Sequence, residues 1–393
     1  MESLTKQKNK FNLYDVCFII SALAGAGILI AMPYKETTIM SLGTYTIAIC
    51  AVLMYVKRFS NYLHHMSHQD LAVLLLVFVC LTAVGFSHSD IKTNFINLLC
   101  FLEIPIFMLC AKNFNSKRTL EFFLWVQYIL SFYYLYLSQT DKAYLFEGKY
   151  DIMQLEELTL SYNNPNEAAM YLTACFVALL IAVVTYKKII LKLMFLINAT
   201  IVAYLVWLTG ARVGVVVCAL VAMCLVFIKK IKIKKAITRI ILLIPMIMII
   251  LIYSYNDQLV NLQLLGSSVE TGRINVFEYV FSDLDFREIF FGDFATHSFA
   301  NFHNIYVTIF GTIGIFGVTI YAFFLDHSLI SQQKNVDYSL AQKMAYIGVL
   351  SFVIYSSVEA TLFTGGSAFA MCFIGVFVSF AFQSQKTEEF VEP

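Results

Sequence analysis

Three side chains stand out as able to do chemistry in an otherwise greasy sequence. Arg212, in "LTGARVGVVV", is the only charged residue between Leu193 and Ile228. A guanidinium presents a rigid planar fork of donors that fits phosphate or carboxylate. Arg273 follows Thr271 and Gly272 in "SSVETGRINVFEYVF", which reads as the start of an amphipathic helix capped by Ser268 or Thr271. His303 stands before Asn304 at the head of "HNIYVTIFGTIGIFGVTIY". An imidazole there can act as a general base. Each has a plain structural alternative: a head-group anchor for Arg212, an ion pair with Glu270 or Glu278 for Arg273, an interfacial histidine for His303.

Weaker candidates surround these. Glu103, in "CFLEIPIF", lies inside an apolar run two residues before Pro105, where an ionisable group marks a functional site or a buried hydrogen bond to a neighbouring helix. Glu359 falls near the end of another run and could line the same cavity. Asp283 and Asp285 in "SDLDF" imitate the carboxylate pair of soluble sugar transferases, but no nucleotide-binding fold surrounds them, so no metal or other cofactor is expected. His297 is a second candidate base, and His64, His65 and His68 read as a polar loop.

The elements that must position these groups are membrane spans. The chain is 60% hydrophobic and 13% charged, far from the roughly 25% charge of a soluble domain. Apolar runs near 12–32, 38–56, 70–87, 93–111, 118–138, 166–186, 189–209, 213–228, 238–254, 304–325, 342–361 and 364–383 predict an all-α polytopic protein of about twelve transmembrane helices. Residues 1–393 then form one integral membrane domain. Arg212 marks the tip of a tight helical hairpin. Glycines 311, 314 and 317 recur every third residue and read as a helix-packing face.

With the N-terminus cytoplasmic, only Lys35, Lys92, Lys142, Lys149, Arg212, Arg273 and Arg287 of the 27 Lys and Arg lie outside. This positive-inside bias puts both termini in the cytoplasm and Arg212 on the far side. Two long segments, 139–165 and 255–303, face the same way as Arg212 and have room for function that apolar spans lack. The nine cysteines, Cys17, Cys50, Cys80, Cys100, Cys110, Cys175, Cys218, Cys224 and Cys372, sit in apolar runs and read as small core residues. The net charge of +1 and the lack of a compact basic domain give no sign of nucleic-acid binding.

In this order, "LTGARVGVV", "TGRINVF" and "HNIYVTIFGTIGIFG" resemble the bacterial O-antigen ligases and O-antigen (Wzy-type) polymerases, over roughly residues 160–325. "NNPNEAAMY" is similar to the Pro-Asn stretch that opens a span in that family. The resemblance implies a GT-C-like glycosyltransferase at the periplasmic face of the inner membrane. It needs no metal, and its donor is an undecaprenyl diphosphate-linked oligosaccharide. It implies that Arg212 and Arg273 clamp the diphosphate and that His303 takes the acceptor proton. Asn304, Asn166, Glu103 and Glu359 are the further candidates for substrate contacts. The lipid tail lies between spans, and a chain-length regulator is a possible partner. Two departures matter: Arg212 sits in Gly-Ala-Arg-Val-Gly rather than Ser-Arg-Gly, and no Gly-Pro precedes His303. The reading favours a polymerase, which joins lipid-linked repeats, with a ligase, which transfers glycan to lipid A–core, as the alternative. A flippase would predict paired halves and no large outer loop between the ninth and tenth spans.

Overall fold

The computed structural model describes residues 11–62, 66–86, 91–140, 158–162, 165–255, 263–264, 267–268, 273–282, 284–294, 303–333, 338–358 and 367–382. A helix stands on each of the twelve apolar runs. They are α1 (Leu13–Ala31), α2 (Thr37–Tyr62), α3 (His68–Phe86), α4 (Ile91–Cys110), α5 (Lys117–Thr140), α6 (Pro165–Thr185), α7 (Ile189–Leu208), α8 (Arg212–Val226) and α9 (Lys235–Ser254), then α12 (Ile305–Gln332), α13 (Leu340–Tyr355) and α14 (Ser367–Ala381). Between α9 and α12 come a two-residue antiparallel ladder, β1 (Gln263–Leu264) with β2 (Ser267–Ser268), and two short helices, α10 (Arg273–Phe281) and α11 (Phe286–Phe291).

Eight of these helices are long and apolar enough to cross a membrane: α1, α2, α3, α5, α6, α7, α9 and α12, among the described residues. Helices α8, α13 and α14 are apolar but shorter. The architecture is that of an α-helical, multi-pass membrane protein. Helix α6 is its axis: every residue from Ala168 to Ala182 is buried, as expected of a helix apolar all round. Helices α5, α7, α8, α13 and α14 pack against it. Exposed leucines, isoleucines and phenylalanines cover the outward faces of α2, α3, α7 and α9, where hydrocarbon takes the place of a protein neighbour.

The lysine-rich end of the bundle is tied by a polar network. Arg58 of α2 donates to both carboxylate oxygens of Asp70 on α3, at 2.7 and 3.1 Å, and to Asn113 Oδ1 at 3.1 Å. Asp15 of α1 accepts from the backbone of Asn115 and Ser116 and from the Thr119 hydroxyl. Four helices are thereby fixed by buried charges that have found partners.

Helix α12 departs from the expected single span. Ile313 (φ −136, ψ 17) and Gly314 (φ 66, ψ −168) are not helical, so 305–312 and 315–332 are separate helices end to end. They fold back on one another. At 1.5 Å per residue a straight helix would hold Asn304 about 43 Å from Gln333. Yet Asn304 Nδ2 donates to Pro245 O at 2.7 Å, while Gln333 donates to Thr238, only seven residues along the same α9. The long half runs beside α3, where Gln69 Nε2 donates to Ser331 Oγ at 2.9 Å. The short half is re-entrant, and its N-terminus lies level with Pro245, about 13 Å below the Ser254 end of α9.

The break is held open from outside. Asp293 N donates to Gly311 O at 2.8 Å. A Cβ on Gly314 would lie 2.3 Å from the carbonyl carbon of Phe290, and one on Gly292 2.5 Å from Ile313 N. The end of α11 is thus wedged backbone to backbone against α12. Among the described residues of the 255–303 segment, the helices pack onto spans rather than stand clear of them. Phe277 and Val280 of α10 bury against Ile252 and Val307. Arg287 of α11 donates to Phe86 O and lies over the Phe86 ring. The close approach expected of glycines 311, 314 and 317 is present at Gly314, against the backbone of Phe290, and the same residue also supplies a left-handed break that a side chain would block.

Candidate functional site

The hairpin tip forms as its sequence dictates. Thr209 closes α7, its hydroxyl donating to Val206 O at 2.7 Å and accepting from Ala211 N at 3.2 Å. Gly210 takes φ 67, the left-handed C-terminal position that glycine fills without strain. Ala211 is extended and offers no side-chain cap, so α8 opens on Arg212. The half-buried Arg212 thus sits at the positive end of a helix dipole. A cation and a row of amide donors at one helix start favour an anion. Gly214 lets the tip press inward: a Cβ there would be 3.0 Å from Val206 Cγ1 and 3.3 Å from both Ala169 Cβ and Thr173 Oγ1.

His303 and Asn304 make the re-entrant turn. His303 is half-buried and adopts φ 55, a left-handed conformation costly for a residue with a Cβ. Asn304 is fully buried and caps the helix: its Oδ1 accepts from Tyr306 N and Val307 N, and its Nδ2 donates to Pro245 O and Ser357 O. Pro245 has no N–H for the carbonyl four residues back, which loosens α9 where Asn304 and Tyr306 bind its carbonyls. Asn304 therefore holds the turn together, with both ends of its amide committed to backbone. The other non-glycine residues with positive φ among those described, Lys35, Leu160 and Ser161, lie at this same end of the bundle. Backbone strain of this kind gathers at functional sites.

Shared contacts bring these pieces to one level. Gly348 of α13 packs on Val177 of α6, and Gly214 of α8 packs on Ala169 and Thr173. Helical rise then puts both Arg212 and Ser356 about 12 Å above the Gly348 contact. Ser356 O accepts from Ile305 N at 3.0 Å, which ties that level to the His303 turn. Tyr355 donates to the backbone carbonyl of Asn166, whose side chain is exposed at the start of α6. Leu158 N donates to Leu208 O beside the tip, and the Tyr162 hydroxyl donates to Leu29 O. Burial lifts the Tyr162 phenol well above its usual range, so it stays a neutral donor.

No protein-family model, curated protein or solved structure matches this chain.

Arg212, His303 and Asn304 thus lie at about one level, with Asn166 above them at the start of α6. Arg273 begins α10, on the wall formed by α9 and the short half of α12; its side chain is outside those described. Glu103 is buried in α4, but only seven residues, roughly 10 Å, from the lysine-rich end. The fold places it in the other half of the bundle. Glu359, Glu270, Thr271, Asp283, His297, His64 and His65 lie outside the described residues. Asp285 caps α11, its carboxylate accepting from Glu288 N at 2.7 Å. Among the described residues no group of three or more His, Cys, Asp or Glu could hold a metal ion. Tyr355 and Ser357 join the site without having been picked out in the sequence, since each is an ordinary residue at a helix end until the fold unites those ends.

Below the tip, α7 and α8 stand apart. Ala199, Ala203 and Trp207 on one side and Cys218, Ala219 and Ala222 on the other line a groove of about 340 Å³, with Phe176 and Leu180 of α6 as its floor. Small residues facing across a hairpin normally let helices close up. Here the space stays open, apolar, and next to Arg212.

Proposed function

We propose that this protein is a membrane-embedded glycosyltransferase that joins polyprenyl diphosphate-linked oligosaccharide repeats, in the manner of an O-antigen polymerase. One observation carries the reading: a half-buried arginine at a helix start and a strained histidine in a re-entrant turn occupy one level at one end of the bundle, beside an apolar groove. In this reading the lysine-rich end is cytoplasmic and the site faces the periplasm of a bacterial inner membrane. Arg212 and Arg273 hold the diphosphate, and the prenyl chain lies in the groove between α7 and α8. His303 takes the proton from an acceptor hydroxyl. That oxygen bonds to the anomeric carbon as the bond from this carbon to phosphate breaks, and the carrier leaves as diphosphate. Arg212 offsets the charge that builds on the departing oxygen, an effect commonly worth about 10²–10³ in rate.

The test replaces Arg212, Arg273 and His303 singly by alanine and displays surface glycan on a gel. Loss of polymer, with a single repeat still on the core, is the expected result. Complete loss of glycan from the core, with lipid-linked polymer accumulating, would indicate a ligase instead. Normal banding in all three variants would remove the assignment.

A further inference from the structure

The connection between α8 and α9 carries Lys229, Lys230, Lys232, Lys234 and Lys235 within seven residues. Its middle, 231–234, is not helical. Ile231 and Ile233 pack half-buried against the core and leave all five lysines exposed. In an extended strap side chains alternate, so Lys232 and Lys234 share a face about 7 Å apart, opposite Ile231 and Ile233. Among the described residues none of the five makes an ion pair, and the nearby Asp326 is taken by Arg239 at 3.1 Å. The first turn of α9 holds no acid, and Lys234 caps it without a side-chain bond. Cations at a helix start oppose the dipole, so this cluster is unfavourable until an anion meets it. Flanking the strap, Val226, Phe227, Ile237 and Ile240 are exposed apolar side chains.

Uncompensated cations on a strap, bordered by bare hydrocarbon-facing residues, fit one kind of occupant. We infer that the 229–235 strap is a binding site for anionic phospholipids of the leaflet at the lysine-rich end. Their phosphates meet the lysines, and their acyl chains lie on Val226, Phe227, Ile237 and Ile240. This site is independent of the sugar-transfer reading and lies at the opposite end of the bundle.

The test reconstitutes the full-length protein in phosphatidylcholine vesicles with a trace of spin-labelled phosphatidylglycerol or spin-labelled phosphatidylcholine. The motionally restricted fraction of each label gives the selectivity. The wild type should favour phosphatidylglycerol several-fold, and 0.5 M NaCl should lower that preference. Changing all five lysines to glutamine should bring it close to one, whereas changing all five to arginine should retain it. Equal selectivity in the wild type and the glutamine variant, or no preference in the wild type at low salt, would overturn the inference and leave these lysines a role in topology alone. The salt series on the wild type decides the matter if the glutamine variant fails to insert.

Discussion

Alanine at Gly314 probes the break in α12 directly. The residue sits at φ 66, ψ −168, a region essentially reserved for glycine, and holding another residue there costs about 1–3 kcal/mol. The new Cβ would also lie 2.3 Å from the Phe290 carbonyl carbon and 2.5 Å from Phe291 N. Those are backbone atoms of a wedged helix end, so relief requires α11 to move, a further ~1–3 kcal/mol of overpacking. Gly314→Ala should therefore lose about 2–6 kcal/mol. The buried free cysteines, Cys17, Cys50, Cys80, Cys110, Cys175, Cys218 and Cys372, provide the readout. A thiol-reactive fluorophore reports their exposure as the purified protein is warmed. Gly85→Ala is the control, since its Cβ would meet nothing within 4 Å. Adding Gly292→Ala to Gly314→Ala should cost less than the sum of the two, because both substitutions open one contact. If Gly314→Ala unfolds with the wild type, the interlock is wrong, and with it the re-entrant placement of His303.

Asn304→Ala should cost about 2–4 kcal/mol in the same assay, from a lost helix cap and from Pro245 and Ser357 carbonyls left unpaired. At the lysine-rich end, Asp70→Asn should cost about 3–5 kcal/mol because it leaves Arg58 charged in a site only 10% exposed. Replacing both Arg58 and Asp70 by apolar residues should be much milder, which a paired thermal melt would show. His303→Gly should keep stability within about 1 kcal/mol of the wild type, since relief of the left-handed strain offsets lost packing. Polymer on the gel should nevertheless vanish. An active His303→Gly would rule the imidazole out as the base.

A helix on each apolar run was legible because long apolar segments declare themselves by length and composition, and eight of the described helices are long and apolar enough to cross a membrane. Arg212 at a hairpin tip was equally plain: a charge flanked by Thr-Gly and Gly has few places to go. The fold-back of α12 was hidden. Gly311, Gly314 and Gly317 carry the same spacing whether they pack helices or one of them breaks a helix. The deciding partner, Gly292, is in another segment. Asn304 could be guessed as a polar residue at a span entry, but its ties to α9 and α13 depend on which helices meet there. The depth of Glu103 was not legible, because only the fold shows that α4 carries it toward the lysine-rich half.

The short half of α12 also bears on biosynthesis. Its eight residues cannot cross a bilayer or hold a helix alone, and its polar seat is built from the Pro245 carbonyl already made and the Ser356 and Ser357 carbonyls still to come. While the ribosome is still working through α13, the histidine turn has only half of its cradle. A nascent chain therefore gains this corner late, after the ladder of spans around it has been threaded.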